Sequence, residues 1–176
     1  VHSIVFAGFS AESLRGRIDD CNSKGVFTSD EGRRGGRSLR LKDIVDKSLD
    51  IDGGCKSVEK VFTYQRQVPE GQPAVENIQM KEGRDVYMTD LLLKAQTYAP
   101  CEWLDSEDPM FILYTSGSTG KPKGVMHTTG GYLVNSAMTT YNSFDIKSPL
   151  FGESGDIFCC AADCGWITGH TYIVYG

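Results

Sequence analysis

Tyr114-Thr115-Ser116-Gly117-Ser118-Thr119-Gly120-Lys121-Pro122-Lys123-Gly124 is the stretch whose reading decides the fold. An apolar run, Met110-Phe111-Ile112-Leu113, precedes it, and an amphipathic segment starting near Thr128 follows, which predicts strand, glycine-rich loop and helix in that order. The glycines let the backbone fold back so that several N–H groups point one way. Thr115, Ser116, Ser118 and Thr119 add hydroxyls, and Lys121 and Lys123 add charge. Such a loop is suited to polyphosphate. It is not a Walker A loop, because Pro122 stands where a Ser or Thr should reach magnesium, and no G-x-S-x-G elbow accompanies it.

Working outward, residues 3–9 form a short apolar run that predicts a buried strand, and Ser10 caps a helix bearing Glu12, Leu14 and Ile18. Gly25-Val26-Phe27-Thr28 predicts the next strand, closed by Asp30-Glu31-Gly32. A helix with apolar positions Leu41, Ile44, Val45, Ser48 and Leu49 follows, with Ser38 as its predicted cap. Residues 57–64 predict a third strand, so the first 64 residues read as a βαβαβ unit with parallel strands. No G-x-G-x-x-G supports a dinucleotide site.

Arg33, Arg34, Arg37 and Arg40 crowd the N-terminal end of that second helix around Gly35-Gly36. Cations there oppose the helix dipole by about 0.3–1 kcal/mol each. A bound phosphate reverses the sign by pairing with guanidinium groups and free amides, although a solvated basic loop fits the residues equally well.

Residues 66–85 lack periodicity and read as a surface excursion, residues 87–95 as a short helix capped near Thr89, and Asp105–Pro109 as an acidic turn. After the glycine loop, Leu133, Ala137 and Tyr141 define one apolar helix face, and His127 reads as structural rather than acid-base. Ile157-Phe158-Cys159-Cys160-Ala161-Ala162 predicts a last buried strand, delivering Asp163, Gly165, Trp166, Thr168, Gly169 and His170 at its carboxyl end. Taken alone, Trp166 reads as core.

With 40% hydrophobic and 23% charged residues, composition is that of a globular chain, and the net charge of −5 argues against a nucleic-acid surface. No apolar run is long enough to span a membrane. The six cysteines lack metal-site spacing and read as buried free thiols in a reducing, cytoplasmic setting, with a nuclear or organellar home left open. A chain that opens without Met inside a motif, and stops at Gly176 where a helix begins, reads as a piece of a longer one.

Residues 115–124 resemble the phosphate-loop motif of the adenylate-forming (ANL) superfamily. The flanks, Val1–Ser10, Ser106-Glu107-Asp108-Pro109 and Asp163–Tyr172, narrow the likeness to the acetyl-coenzyme A synthetase family. The resemblance implies an α/β fold in which residues 1–176 are an interior portion of the large N-terminal adenylate-forming domain, without the C-terminal domain. It implies an AMP-forming acetate–CoA ligase with small-molecule substrates: acetate, ATP and coenzyme A, together with Mg2+, for which no carboxylate here is a convincing ligand. It places the ATP phosphates on Thr115, Ser116, Gly117, Ser118, Thr119, Gly120, Lys121, Lys123 and Gly124. It places coenzyme A on Arg34, Gly35, Gly36, Arg37 and Thr168, and the acyl group beside Trp166, Ile167 and Thr168. No catalytic side chain is implied in this region, matching the lack of any Ser/His/Asp array. The family's adenine and ribose motifs and its catalytic lysine have no counterpart here, so residues 1–176 alone are not expected to form acetyl-CoA. Residues 145–156 make a loop longer than relatives have, with Leu150 and Phe151 expected to be exposed. A propionyl-CoA synthetase, or a nucleotide-binding module without catalysis, remains open.

Overall fold

The computed structural model describes residues 1–68, 70–71, 75–116, 120–147 and 155–176, in two compact units: Ala7–Pro100, and Val1–Phe6 with Cys101–Gly176.

In the first unit, helix α1 (Ala11–Asp20) begins where Ser10 accepts from the Ser13 amide, and α2 (Leu41–Asp50) begins at Arg40 with no side-chain cap. Before α2, strand β2 (Gly25–Ser29) leads into a hairpin of β3 (Gly32–Arg34) and β4 (Arg37–Leu39). Ser38 therefore lies in a strand instead of capping α2, because its hydroxyl donates to Glu31. Beyond α2 come β5 (Lys60–Tyr64), β6 (Asp85–Tyr87) and a short helix α3 (Met88–Leu92). Strands β2, β5 and β6 form a parallel sheet in that order.

Alternation along β2 turns Val26 inward and leaves Phe27 on the exposed face, stacked on Phe62 at 4.6 Å. The inner face carries the core, where Ile18 of α1 and Val45 and Leu49 of α2 meet Val61 of β5. Arg15 of α1 locks the C-terminal end of α2, its guanidinium donating to the carbonyls of Ser48, Ile51 and Gly54. Ser48 belongs to the last turn of α2, whose carbonyls lack partners within the helix, so a cation there answers both hydrogen bonding and dipole.

The 66–85 excursion ends in β6, which periodicity did not reveal. Its anchor is charge: Lys42, fully buried on α2, donates to Asp46 at 2.8 Å, to Asp85 at 2.7 Å and to the Gln79 carbonyl at 2.9 Å. Arg84 pairs with both carboxylates as well. Burial alone would raise the Asp85 carboxyl, but hydrogen bonds from Arg84, Lys42 and the Lys81 amide outweigh it and hold the pKa at about 2.

The second unit contains β1 (His2–Ser3), β7 (Pro109–Thr115), β8 (Lys123–Thr128), α4 (Thr129–Thr139), a π-helical turn (Thr140–Phe144), α5 (Ile167–Gly169) and a final π-helical turn (His170–Tyr175). Strand β1 is shorter than the expected 3–9 and does not join the β2 sheet. It pairs parallel with β7, His2 opposite Phe111, so the expected three-strand βαβαβ unit is corrected to β2, β5 and β6. An apolar run specifies a strand but not its neighbour, and here the ring of Phe111 supplies the preference, with His2 stacked on it at 5.7 Å.

Phe111 is completely buried, contributing roughly 1.5–3 kcal/mol. Around it stand His127 at 4.6 Å, Tyr132 edge-on at 4.6 Å, His170 at 4.2 Å and Tyr175 at 6.3 Å. Helix α4 has no side-chain cap; the acidic turn does the work, the carbonyls of Asp108 and Ser106 accepting from the Thr129 and Gly130 amides. The buried face of α4 is Tyr132 and Ser136, while Leu133 and Tyr141 are exposed, so the expected Leu133/Ala137/Tyr141 face is wrong. The rotation follows from polar bonds: Tyr132 Oη meets Thr171 Oγ1 at 2.6 Å and Ser136 Oγ donates to the Thr171 carbonyl at 3.2 Å.

Residues 157–162 form no strand. No ladder partner lies beside them among the described residues, and Ile157 is 99% exposed. The cysteines are all free as expected, but none is buried: Cys21, Cys55, Cys160 and Cys164 are half-buried, and Cys101 and Cys159 are exposed. No helix among the described residues is long and apolar enough to cross a membrane. Leu150 and Phe151 lie outside the described residues, with most of the 145–156 loop.

Phe111→Ala is expected to cost about 3–5 kcal/mol in urea unfolding, and a loss below about 1 kcal/mol would show that the ring cluster is not the core of its unit. Because the folded pKa of Asp85 lies below its ordinary value of 3.8, its contribution is complete above about pH 5 and disappears as pH falls through about 2. Asp85→Asn should therefore destabilise the protein at pH 7 by about 2 kcal/mol and flatten its acid unfolding curve. Equal acid sensitivity of variant and parent would refute this.

Candidate functional site

The glycine-rich stretch joins two antiparallel strands, not a strand to a helix. Tyr114 faces Gly124 and Thr115 faces Lys123 in the β7–β8 ladder, and α4 starts only after β8. The expected order is thereby corrected, because Lys123–Thr128 gains more by completing the ladder on β7 than by starting a helix behind Pro122. Thr115, Ser116, Gly120, Lys121, Lys123 and Gly124 are all exposed, and Gly117, Ser118 and Thr119 lie outside the described residues. Gly120 has φ +82°, a left-handed conformation that favours glycine. Gly124 is required for a different reason: a Cβ there would come within 2.9 Å of Ile112 Cγ2 and 3.2 Å of the Tyr114 ring. An anion at this hairpin would meet hydroxyls, turn amides and the two lysines, without help from a helix dipole.

Arg34 and Arg37 flank a two-residue turn in which Gly35 and Gly36 have φ of +56° and +76°, both positive as a type I′ hairpin turn demands. Both arginines are exposed. The neighbouring cations are engaged elsewhere: Arg40 binds Asp43 at 2.6 Å and the carbonyls of Glu76 and Asn77, and Arg33 reaches Glu31 at 3.3 Å. Glu31 was not singled out by sequence. It is 2% exposed and also accepts from Ser38 Oγ at 2.6 Å and Arg66 Nη1 at 2.8 Å. The Ser38 hydroxyl first, then Arg66 and Arg33 against the effect of burial, holds its carboxyl below the usual range. Asp30 beside it accepts from the amides of Glu31 and Arg66. The only sequence signal for this pair was an acidic dipeptide separated by Gly32 alone from the basic Arg33-Arg34.

Trp166, Ile167 and Thr168 open helix α5 and are exposed, whereas Gly169, His170 and Thr171 turn inward. Trp166 is 62% exposed, not core, and meets Phe6 edge-on at 6.2 Å. A tight turn presents the trio: Asp163 accepts the Gly165 amide on Oδ1 at 2.7 Å and the Trp166 amide on its carbonyl at 2.9 Å. His170 touches His2, Nε2 to Nε2, at 3.2 Å. Burial first, then the charge of His2, lowers its pKa, and burial lowers that of His127. The β7–β8 hairpin and the 166–168 trio thus belong to one unit and Arg34–Arg37 to the other. Among the described residues no group of three or more His, Cys, Asp or Glu side chains is placed to hold a metal, so no residue is assigned to Mg2+.

An α/β chain carrying these two hairpins matches the AMP-binding enzyme family over residues 1–176, and belongs to it. Among individual proteins, it is 52% identical to an acetyl-coenzyme A synthetase of Coprinopsis cinerea, over 100% of this chain and 24% of that protein. It is 50% identical to acetyl-coenzyme A synthetase 2 of Saccharomyces cerevisiae over 100% and 24%, and 50% identical to the Halorhodospira halophila synthetase over 100% and 25%. The chain therefore spans about a quarter of the length of the curated relatives it matches. Among solved structures, an acetoacetyl-CoA synthetase from Streptomyces lividans shares the fold, with TM-score 0.71 at 23% identity over 93% of this chain and 22% of that one.

Gly169 tests how tightly the trio is held. A Cβ there would lie 2.2 Å from the Asp163 carbonyl oxygen, a backbone atom that cannot swing aside. Gly169→Ala is expected to cost about 3 kcal/mol and to lower hydrogen-exchange protection from Trp166 to Tyr175. Unchanged protection would show that the turn is not the support.

Proposed function

We propose that this chain is the part of an AMP-forming acetate–CoA ligase that grips the ATP phosphates and the nucleotide end of coenzyme A. The observation that carries the reading is the β7–β8 hairpin, whose described loop residues are exposed donors and cations joined to a rigid strand. The acetyl-coenzyme A synthetases that are about 50% identical to this chain supply the substrate class.

In the first step an acetate oxygen attacks the α-phosphorus of ATP, forming acetyl-adenylate as pyrophosphate leaves. Thr115, Ser116, Lys121, Lys123 and the hairpin amides, with Gly117, Ser118 and Thr119, hold the β- and γ-phosphates while charge builds on the departing group. Preorganised donors of this kind contribute about 2.7–4 kcal/mol each. In the second step the coenzyme A thiol attacks the acyl carbon and AMP leaves. Arg34 and Arg37 bind the coenzyme's phosphates across the Gly35-Gly36 turn, Thr168 lies at the coenzyme A side, and Trp166 and Ile167 border the acyl group. Neither step needs a side-chain nucleophile from residues 1–176.

Acetate-dependent exchange of pyrophosphate into ATP, measured on the intact enzyme, isolates the first step. Lys123→Ala should lower its kcat/KM by about 10²–10³ with an unchanged melting temperature, because Lys123 is exposed. Full exchange activity in both Lys123→Ala and Ser116→Ala would remove the hairpin from the mechanism. Propionate exchanging as well as acetate would move the assignment to a different short-chain ligase.

A further inference from the structure

The β3–β4 hairpin is poorly equipped to hold itself in place. It has three residues per strand and forms a two-stranded sheet of its own, and hairpins of that size are marginal in water. Its last register pair is Arg34 opposite Arg37, two like charges across the strands, which is destabilising. The β3–β4 turn glycines have nothing within 4 Å of where a Cβ would sit. A polar anchor at the base of the hairpin bears directly on where the two guanidinium groups stand.

The geometry points to Glu31 as that residue: a positioning group, not a ligand, for the coenzyme A nucleotide. This inference rests on the reading of Arg34 and Arg37 given above. The Glu31 side chain is 1% exposed and its two oxygens divide the work. Oε2 accepts from Ser38 on β4, and Oε1 accepts from Arg33 on β3 and from Arg66 beyond β5. One carboxylate therefore ties both strands of the hairpin to the segment that leaves the parallel sheet, and Asp30 clamps the same junction through the amides of Glu31 and Arg66. Glu31 bonds to Arg33 and Ser38, which face each other in the register pair next to Arg34 and Arg37. A carboxylate serves here because every contact is a donor; an amide of the same shape would turn an N–H toward one of them.

The test is kinetic, on the intact enzyme. Glu31→Gln is expected to raise KM for coenzyme A about 10-fold to 100-fold, while acetate-dependent ATP–pyrophosphate exchange, which needs no coenzyme A, stays within about twofold. Ser38→Ala, which removes one of the bonds, should raise KM for coenzyme A about 3-fold to 10-fold, and provides the same reading if Glu31→Gln fails to fold. Exchange and acetyl transfer falling together, with a lowered melting temperature, would make Glu31 merely structural and overturn the inference. So would an unchanged KM in the folded variants. Arg34→Ala separates the two levels. If it leaves KM for coenzyme A unchanged, the hairpin is not the nucleotide grip and both readings fall; if it raises KM but Glu31→Gln does not, only the positioning role falls.

Discussion

Burial of one aromatic ring constrains the unit that carries the β7–β8 hairpin. Phe111 sits in the middle of β7 with no exposed surface, and β1, β8, α4 and the last helical turn each press a ring against it. Because interiors are packed as densely as organic crystals, a strand held from that many sides cannot slide or tilt. The loop that follows Thr115 is thereby presented from a fixed base. The histidines serve the same end as neutral rings, since burial among aromatic neighbours disfavours their charged forms.

The other unit solves a similar problem with charge. Lys42 and Asp85, both withdrawn from water, join α2 to β6, and Glu31 joins a basic hairpin to the sheet. Buried ions are costly unless every lone pair and proton finds a partner, and here the additional bonds to Asp46, Arg84 and the Gln79 carbonyl meet that condition. The result is geometric specificity more than net stability.

Much of the local structure was legible. Ser10 before a helix, the strand at Gly25-Val26-Phe27-Thr28, and the apolar positions of α2 all follow from rules that act within one or two turns of chain. Less legible was anything decided by a partner distant in sequence. The apolar run near the N-terminus could not announce β7 as its neighbour, and the 157–162 run could not announce that no strand lies beside it. The face of α4 was misread because its burial is set by hydroxyl bonds to Thr171, which hydrophobic periodicity does not count.

The sequence by itself determined the family and the residue chemistry of two stretches, the glycine-rich 115–124 and the arginine-bearing 33–40, since those depend on short contiguous motifs. Only the tertiary structure decided that the glycine loop closes two strands, that β1 belongs with β7, and that Glu31 accepts from Ser38 and Arg66. The physical reason is that pairing and charge compensation are made between residues tens of positions apart, where local pattern carries no information about which partner will be within 3 Å.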